Sequence, residues 1–143
     1  MGTQFTIVAY GADESHIQAA VSAAFEEVFR LDRQWSNYRE QSELSYLNRH
    51  AAKQPVTVDR ELFQMLETCL RYSRETGGAF DITVGPLLKT WGFFRGTGRL
   101  PKPEELAAAL ARVGWQKVRL DARERTVTFT VPGVELEIGR AHV

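Results

Sequence analysis

The sequence predicts an α+β fold, a mainly antiparallel sheet packed by helices. Apolar residues recur at helical spacing in three separate stretches, and short runs near the C-terminal end alternate apolar with polar residues. Glycine and proline punctuate the joints between them, as connections in a layered domain require. At 143 residues, with 43% hydrophobic and 25% charged residues, the chain can bury one sizeable core. Disordered and fibrous classes are excluded.

Each element follows from its own pattern. Residues 3–9 alternate Phe5 and Ile7 against Gln4 and Thr6, as a half-buried strand does. Ile17, Val21, Ala24, Phe25, Val28 and Leu31 then fall on one helical face, with Asp13 or Ser15 suited to cap it, and the helix should end near Trp35. Ser42 and residues 43–48 read as a capped single turn. A second long helix starts after Asp59, carries the stripe Leu62, Met65, Leu66, Cys69 and Leu70, and stops at Gly77 and Gly78. Cys69 lies on the apolar side and reads as packing, because no basic residue is placed to lower its pKa. Pro103, Glu104 and Glu105 mark the start of a third helix, where the backbone dipole favours acids, and it should run to Val113 before Gly114. Residues 117–120, 126–130 and 134–138 complete the pattern as an antiparallel meander, divided by turns at 121–125 and at Pro132-Gly133.

Composition removes several function classes. Lys plus Arg and Asp plus Glu are equal at 18 each, so no long-range field recruits a polyanion, and no nucleic-acid partner is expected. A single cysteine forms no internal disulfide, which leaves the compartment open. No apolar run is long enough to span a bilayer, and the first residues lack a basic stretch followed by an apolar one. His16, His50 and His142 have no Cys or acid partner at metal-ligand spacing. Nucleophile-elbow, P-loop and dinucleotide-binding motifs are missing from the sequence. Gly96-Thr97-Gly98 between Arg95 and Arg99 has the composition of an anion nest, but its place away from a strand–helix junction favours a solvated loop.

Two polar clusters stand out. In the stretch 76–93, Asp81 sits between Phe80 and Ile82, where a bare carboxylate is costly and must find donors. Those donors are either protein N–H groups, with Asp81 bracing the turn or capping a helix opened by Pro86, or the hydroxyls and amines of something bound. Gly77 and Gly78 would let a ligand approach the backbone closely. The second cluster is the polar loop at 35–48, where Tyr38 either stacks on a flat ligand or packs as a rim aromatic on its own domain.

Met1-Gly2-Thr3, Ser36-x-Tyr38, Ser42-Glu43-Leu44 with Asn48, the run Thr76-Gly-Gly-Ala-Phe-Asp-Ile-Thr-Val-Gly-Pro-Leu and Trp91-Gly92-Phe93 together resemble the ApbE family of FAD:protein FMN transferases. The resemblance covers the chain from Met1 to about Ile138. It implies an ApbE-like fold and an enzyme that cleaves FAD at its pyrophosphate with the help of magnesium. The FMN half is then joined by a phosphoester bond to a threonine of a target flavoprotein, typically an electron-transport subunit. Some relatives hydrolyse FAD instead, and a non-catalytic flavin- or nucleotide-binding module is the alternative of another class. Carried over by position, the FAD-contacting residues are Met1, Tyr38, Ala79, Phe80, Asp81 and Glu137. The family usually works in the periplasm or on the outer face of the cytoplasmic membrane, often through a lipid anchor.

The sequence also departs from the family. After the run matching 134–138, the family continues with Asp-Leu-Gly-Gly-Ile-Ala-Lys-Gly and a second half that holds a histidine and the magnesium ligands. This chain reads Glu-Ile-Gly-Arg-Ala-His-Val over residues 137–143, the in-frame translation of a common short-read sequencing adapter. Residues 1–137 are therefore expected to be the N-terminal portion of a flavin transferase, truncated at the C-terminus, and 138–143 a non-native tail. On this view His142 is no catalytic histidine, and this portion holds neither catalytic nor metal-binding residues. Met1-Gly2-Thr3 matches a motif internal to the family, so a start and membrane anchor upstream are expected. Ending within a strand should also leave Leu62, Leu66 and Leu70 incompletely covered.

Overall fold

A computed structural model describes residues 5–94, 96 and 98–138. The described chain divides into two compact units, one up to Ser45 and one from Tyr46 onward.

The first unit is dominated by α1, Glu14–Trp35. Asp13 caps it: its Oδ1 accepts the His16 N–H at 3.1 Å and the Ser15 hydroxyl at 2.7 Å. Ile17, Val21, Phe25, Val28 and Leu31 share its less exposed side. The strand expected at 3–9 is not formed in its described part. Residues 5–10 are irregular and exposed, Val8 by 69% and Tyr10 by 93%. Alternation prepares a strand, but only a neighbouring ladder makes one. After α1 the chain turns through 36–42 into α2, Glu43–His50, inside which the two units divide. The buried Ser42 hydroxyl accepts the Ser45 N–H at 3.0 Å and donates to the Ser36 carbonyl at 2.7 Å, so one side chain caps α2 and closes the turn.

The second unit holds a three-stranded antiparallel sheet in the order β1-β3-β2: β1 Val56–Thr57, β2 Val118–Asp121 and β3 Thr126–Phe129. Val127 stands opposite both Val56 and Leu120, which makes β3 the central strand and buries Val127 and Phe129. The expected meander is thus corrected. The third strand comes from β1, too short to show a period in the sequence, and residues 134–138 join no ladder. Helix α3, Arg60–Glu75, starts at Asp59, whose Oδ1 accepts the Glu61 N–H at 2.8 Å. Its buried face is Leu62, Phe63, Leu66, Cys69, Leu70 and Ser73. Met65, placed in the stripe by spacing, is 37% exposed. Leu62, Leu66 and Leu70 are buried, against the expectation that they would be incompletely covered. α3 ends as predicted, Gly77 and Gly78 taking φ of 61° and 88°, the left-handed region that glycine tolerates.

Two short helices follow, α4 Gly85–Thr90 and α5 Pro103–Leu110, packed on each other. α5 stops at Leu110, short of the expected Val113, and hydrogen-bonded turns carry the chain on to Gly114. A 3₁₀ turn at Trp115–Lys117 leads into β2.

Residues 134–138 are held without a ladder. Both backbone groups of Leu136 bond to the Asn48 side chain, Glu137 N–H donates to the Ile82 carbonyl at 2.7 Å, and Lys89 pairs with Glu135 at 2.5 Å. Val134 and Leu136 are buried beneath. At Gly85 the segment lies so close that a Cβ would stand 2.8 Å from the Glu135 carbonyl oxygen and Cβ. Alanine in a helix gains about 1 kcal/mol over glycine, whereas forcing apart a backbone contact costs about 1–3 kcal/mol. Gly85→Ala is therefore expected to destabilise the protein by up to about 2 kcal/mol in urea unfolding; a stabilised variant would show that the approach is looser than the structure has it.

Candidate functional site

The turn between α3 and α4 is built from the end of α3 outward. Thr76 donates its hydroxyl to the Tyr72 carbonyl at 2.8 Å and accepts the Phe80 N–H at 3.1 Å, while its own carbonyl accepts the Ala79 N–H at 3.2 Å. The helix end thus folds the next residues back and leaves Ala79 and Phe80 facing outward, Phe80 43% exposed.

Asp81 turns inward. Its Oδ1 accepts the Thr83 N–H at 2.8 Å and the Thr83 hydroxyl at 2.6 Å; its Oδ2 accepts the Trp115 N–H at 2.8 Å. The Thr83 hydroxyl in turn accepts the Gly114 N–H at 2.7 Å. Thr83 is 0% exposed, so water cannot take the place of its partners. The donors that Asp81 needs are therefore found within the protein, and it braces the turn against the entry to β2. It does not cap α4, whose N-cap is Val84 with no side-chain bond. Arg74 lies over the Trp115 ring at 6.0 Å and ties the same junction to α3.

Glu137 reaches this turn through its backbone bond to Ile82, next to Asp81. One unit thus brings together Ala79, Phe80, Asp81 and Glu137. Tyr38 belongs to the other, half-buried in the 36–42 turn with its N–H donated to Ser36 Oγ at 3.3 Å. Buried Asp32 accepts Arg39 Nε at 2.6 Å, and Arg33, Arg39, Glu40, Gln41 and Ser42 line an open depression of about 520 Å³. At the end of α1, Trp35 Nε1 is the buried side-chain donor without a hydrogen-bond partner among the described residues. Met1 lies outside them.

Other candidates resolve into structure. Cys69 is buried, and burial pushes its thiol pKa up, the reverse of what a nucleophile needs. Arg99 next to the Gly-Thr-Gly loop forms a two-bond pair with Glu105, at 2.8 and 3.1 Å, which holds the Glu105 carboxyl at about 2. Arg95 and Thr97 lie outside the described residues. His50 stacks on Tyr46 with centroids 4.1 Å apart. Among the described residues no group of three His, Cys, Asp or Glu could hold a metal, and no helix is long and apolar enough to cross a membrane.

The family model for ApbE matches residues 1–140. The chain belongs to the ApbE family. Among curated ApbE relatives, the FAD:protein FMN transferase of Treponema pallidum is 36% identical over 130 residues, a match covering 85% of this chain and 36% of that protein. The one from Klebsiella pneumoniae is 31% identical over 125 residues, covering 87% and 40%. The apo crystal structure of Pseudomonas stutzeri flavinyl transferase ApbE matches with a TM-score of 0.74 and 28% identity, over 90% of this chain and 39% of that one. The Thermotoga maritima ApbE protein gives 0.81 and 29%, over 90% and 41%. The α+β, ApbE-like fold is thus shown, and the chain spans about two fifths of the length of these relatives.

Thr83 and Asn48 stood in the quoted motifs without a role, since a sequence gives no hint that one hydroxyl serves Asp81 and Gly114 together. Thr83→Val keeps the shape but removes a donor and an acceptor, stranding the Gly114 N–H. It is expected to destabilise by about 1–3 kcal/mol, and Thr83→Ser by less than half as much. Equal losses in thermal unfolding would show that the hydroxyl's bonds contribute no more than the buried methyl group.

Proposed function

We propose that this chain supplies part of the flavin-nucleotide site of a FAD:protein FMN transferase. The observation that carries the proposal is the 76–83 turn, which presents the Phe80 ring while locking the Asp81 carboxylate behind it, within a sequence that the ApbE model matches from 1 to 140. An exposed aromatic on a rigid turn gives a flat nucleotide ring a surface to lie on. A carboxylate accepts about four hydrogen bonds, and three are made within the protein, so Asp81 can take one N–H or O–H of the nucleotide and keep its brace. Tyr38 and Met1 are assigned to the same ligand by family position, and Glu137 by position and by its bond to Ile82.

In the reaction, the P–O–P bridge of FAD breaks and the FMN phosphorus forms an ester with a threonine oxygen of the acceptor flavoprotein. AMP leaves with the bridging oxygen, and the threonine proton passes to a base. Such a transfer is catalysed by positioning and by neutralising charge. Among the described residues no group of three His, Cys, Asp or Glu could hold the magnesium of this reading; these residues bind and orient. Residues 1–137 as the N-terminal portion, an electron-transport acceptor and work outside the cytoplasmic membrane complete the reading.

Two measurements test it. FAD titration followed by flavin fluorescence should show binding by the wild type, with Asp81→Ala losing about tenfold more affinity than Thr83→Val, because only the first removes a ligand contact as well as the brace. Equal losses would make Asp81 a brace alone. Incubated with FAD, magnesium and a threonine-bearing acceptor domain, the 143-residue chain is expected to leave no fluorescent acceptor band on a denaturing gel; a band that depends on the chain would place the transfer machinery within these residues.

A further inference from the structure

Residues 134–138 are partly buried, yet among the described residues no strand pairs with them. Buried backbone groups must still find partners, and at Leu136, itself buried, one side chain provides both. Asn48 Nδ2 donates to the Leu136 carbonyl at 3.0 Å, and its Oδ1 accepts the Leu136 N–H at 2.8 Å. A carboxamide carries the same donor and acceptor as a peptide unit, so Asn48 meets Leu136 as a residue of a neighbouring strand would.

What this bond holds gives it consequence. The next residue, Glu137, donates its N–H to the Ile82 carbonyl, and Ile82 lies between Asp81 and Thr83, the two ends of the brace. Three connected links, Asn48 to Leu136, Leu136 to Glu137 and Glu137 to Ile82, run from α2 to the turn carrying Ala79 and Phe80. On the other side of Leu136, Glu135 is fixed by Lys89 and by the close approach at Gly85. Released from Asn48, the segment would keep its anchor at Glu135 but lose two bonds at Leu136, one residue before it meets the turn. Alanine would remove both bonds. Aspartate would keep an acceptor for the Leu136 N–H and set a carboxylate against the Leu136 carbonyl.

We propose that Asn48 is a positioning residue for the flavin-nucleotide site: its amide clamps Leu136 so that Glu137 stands in fixed register with the Ala79–Phe80–Asp81 turn. The proposal rests on the flavin reading of that turn given above. Asn48 touches no ligand in this scheme and acts through Leu136 and Glu137.

The test compares Asn48→Ala, Asn48→Asp and wild type with Val127→Ala, a buried site on β3 that takes no part in the clamp's hydrogen bonds and serves as a matched loss of stability. Three quantities are read for each: the thermal midpoint, amide hydrogen exchange at Leu136 and Glu137, and FAD affinity by flavin fluorescence at a temperature where every variant is folded. Asn48→Ala should speed exchange at both amides while α3 stays protected, and raise the FAD dissociation constant about tenfold. Asn48→Asp should retain more protection at Leu136 and a higher midpoint, yet still weaken FAD; it carries the test if the alanine variant does not fold. Val127→Ala should keep the wild-type affinity within about twofold despite its lowered midpoint. Affinity loss in the Asn48 variants no greater than in Val127→Ala would overturn the positioning role, leaving Asn48 a stabilising residue only. Unchanged exchange at Leu136 in Asn48→Ala would overturn the clamp itself. A wild-type chain that takes up no FAD would instead bring down the flavin reading, and the exchange at Leu136 would then decide the clamp independently.

Discussion

The described site depends on one carboxylate that gathers donors from two places in the chain. Asp81 takes two bonds from Thr83 and one from Trp115, and the Thr83 hydroxyl passes the connection on to Gly114. A hydrogen bond to a charged group is worth about 1.5–3 kcal/mol, more than a neutral one, and leaving a buried donor without its partner costs a comparable amount again. Thr83 has no contact with solvent, so the network has no inexpensive alternative in water. It joins the end of the α3 turn to the start of the β2–β3 hairpin, two regions that the sequence separates by about thirty residues. An acid with an apolar neighbour on either side is thereby explained without a ligand, and the same arrangement holds it ready for one.

The helices and β2–β3 were largely legible. Asp13, one of the two caps offered for α1, caps it, and α3 starts after Asp59 as expected. Four of the five residues read onto the apolar face of α3 are buried, Met65 being the exception and Phe63 and Ser73 the additions, because capping chemistry and helical periodicity are local. Errors fall where structure depends on a distant partner. Residues 5–9 and 134–138 have strand composition, yet among the described residues neither gains a ladder, whereas Val56–Thr57 gains one from β3 with only two residues of its own. Composition records what a segment could pair with, and topology decides whether anything is there.

The site was legible in part for the same reason. Asp81 stood out because an acid in apolar company is locally conspicuous, and the bracing role was one of the two open for it. That its donors would be Thr83 and the Trp115 N–H could not be read, since Trp115 is brought up by the fold. Asn48 and Leu136 lie 88 positions apart, beyond any pattern in a single sequence. The family resemblance supplied a list of positions without their mechanics. Geometry adds that Phe80 faces outward on a turn whose other polar groups face in.

Thr76 is at once the last anchor of α3 and the acceptor for the Phe80 N–H. The backbone that carries the outward-facing ring is therefore an extension of a sixteen-residue rod, roughly 24 Å long at 1.5 Å per residue. Fraying at the tail of that rod and opening of the ring's turn become a single event with a shared free energy. Because the rod is buried along its face by Leu62, Leu66 and Leu70, the event is confined to its final turn. The tempo at which the aromatic surface yields is thus governed by a helix terminus, far slower than the free rotation of an exposed side chain.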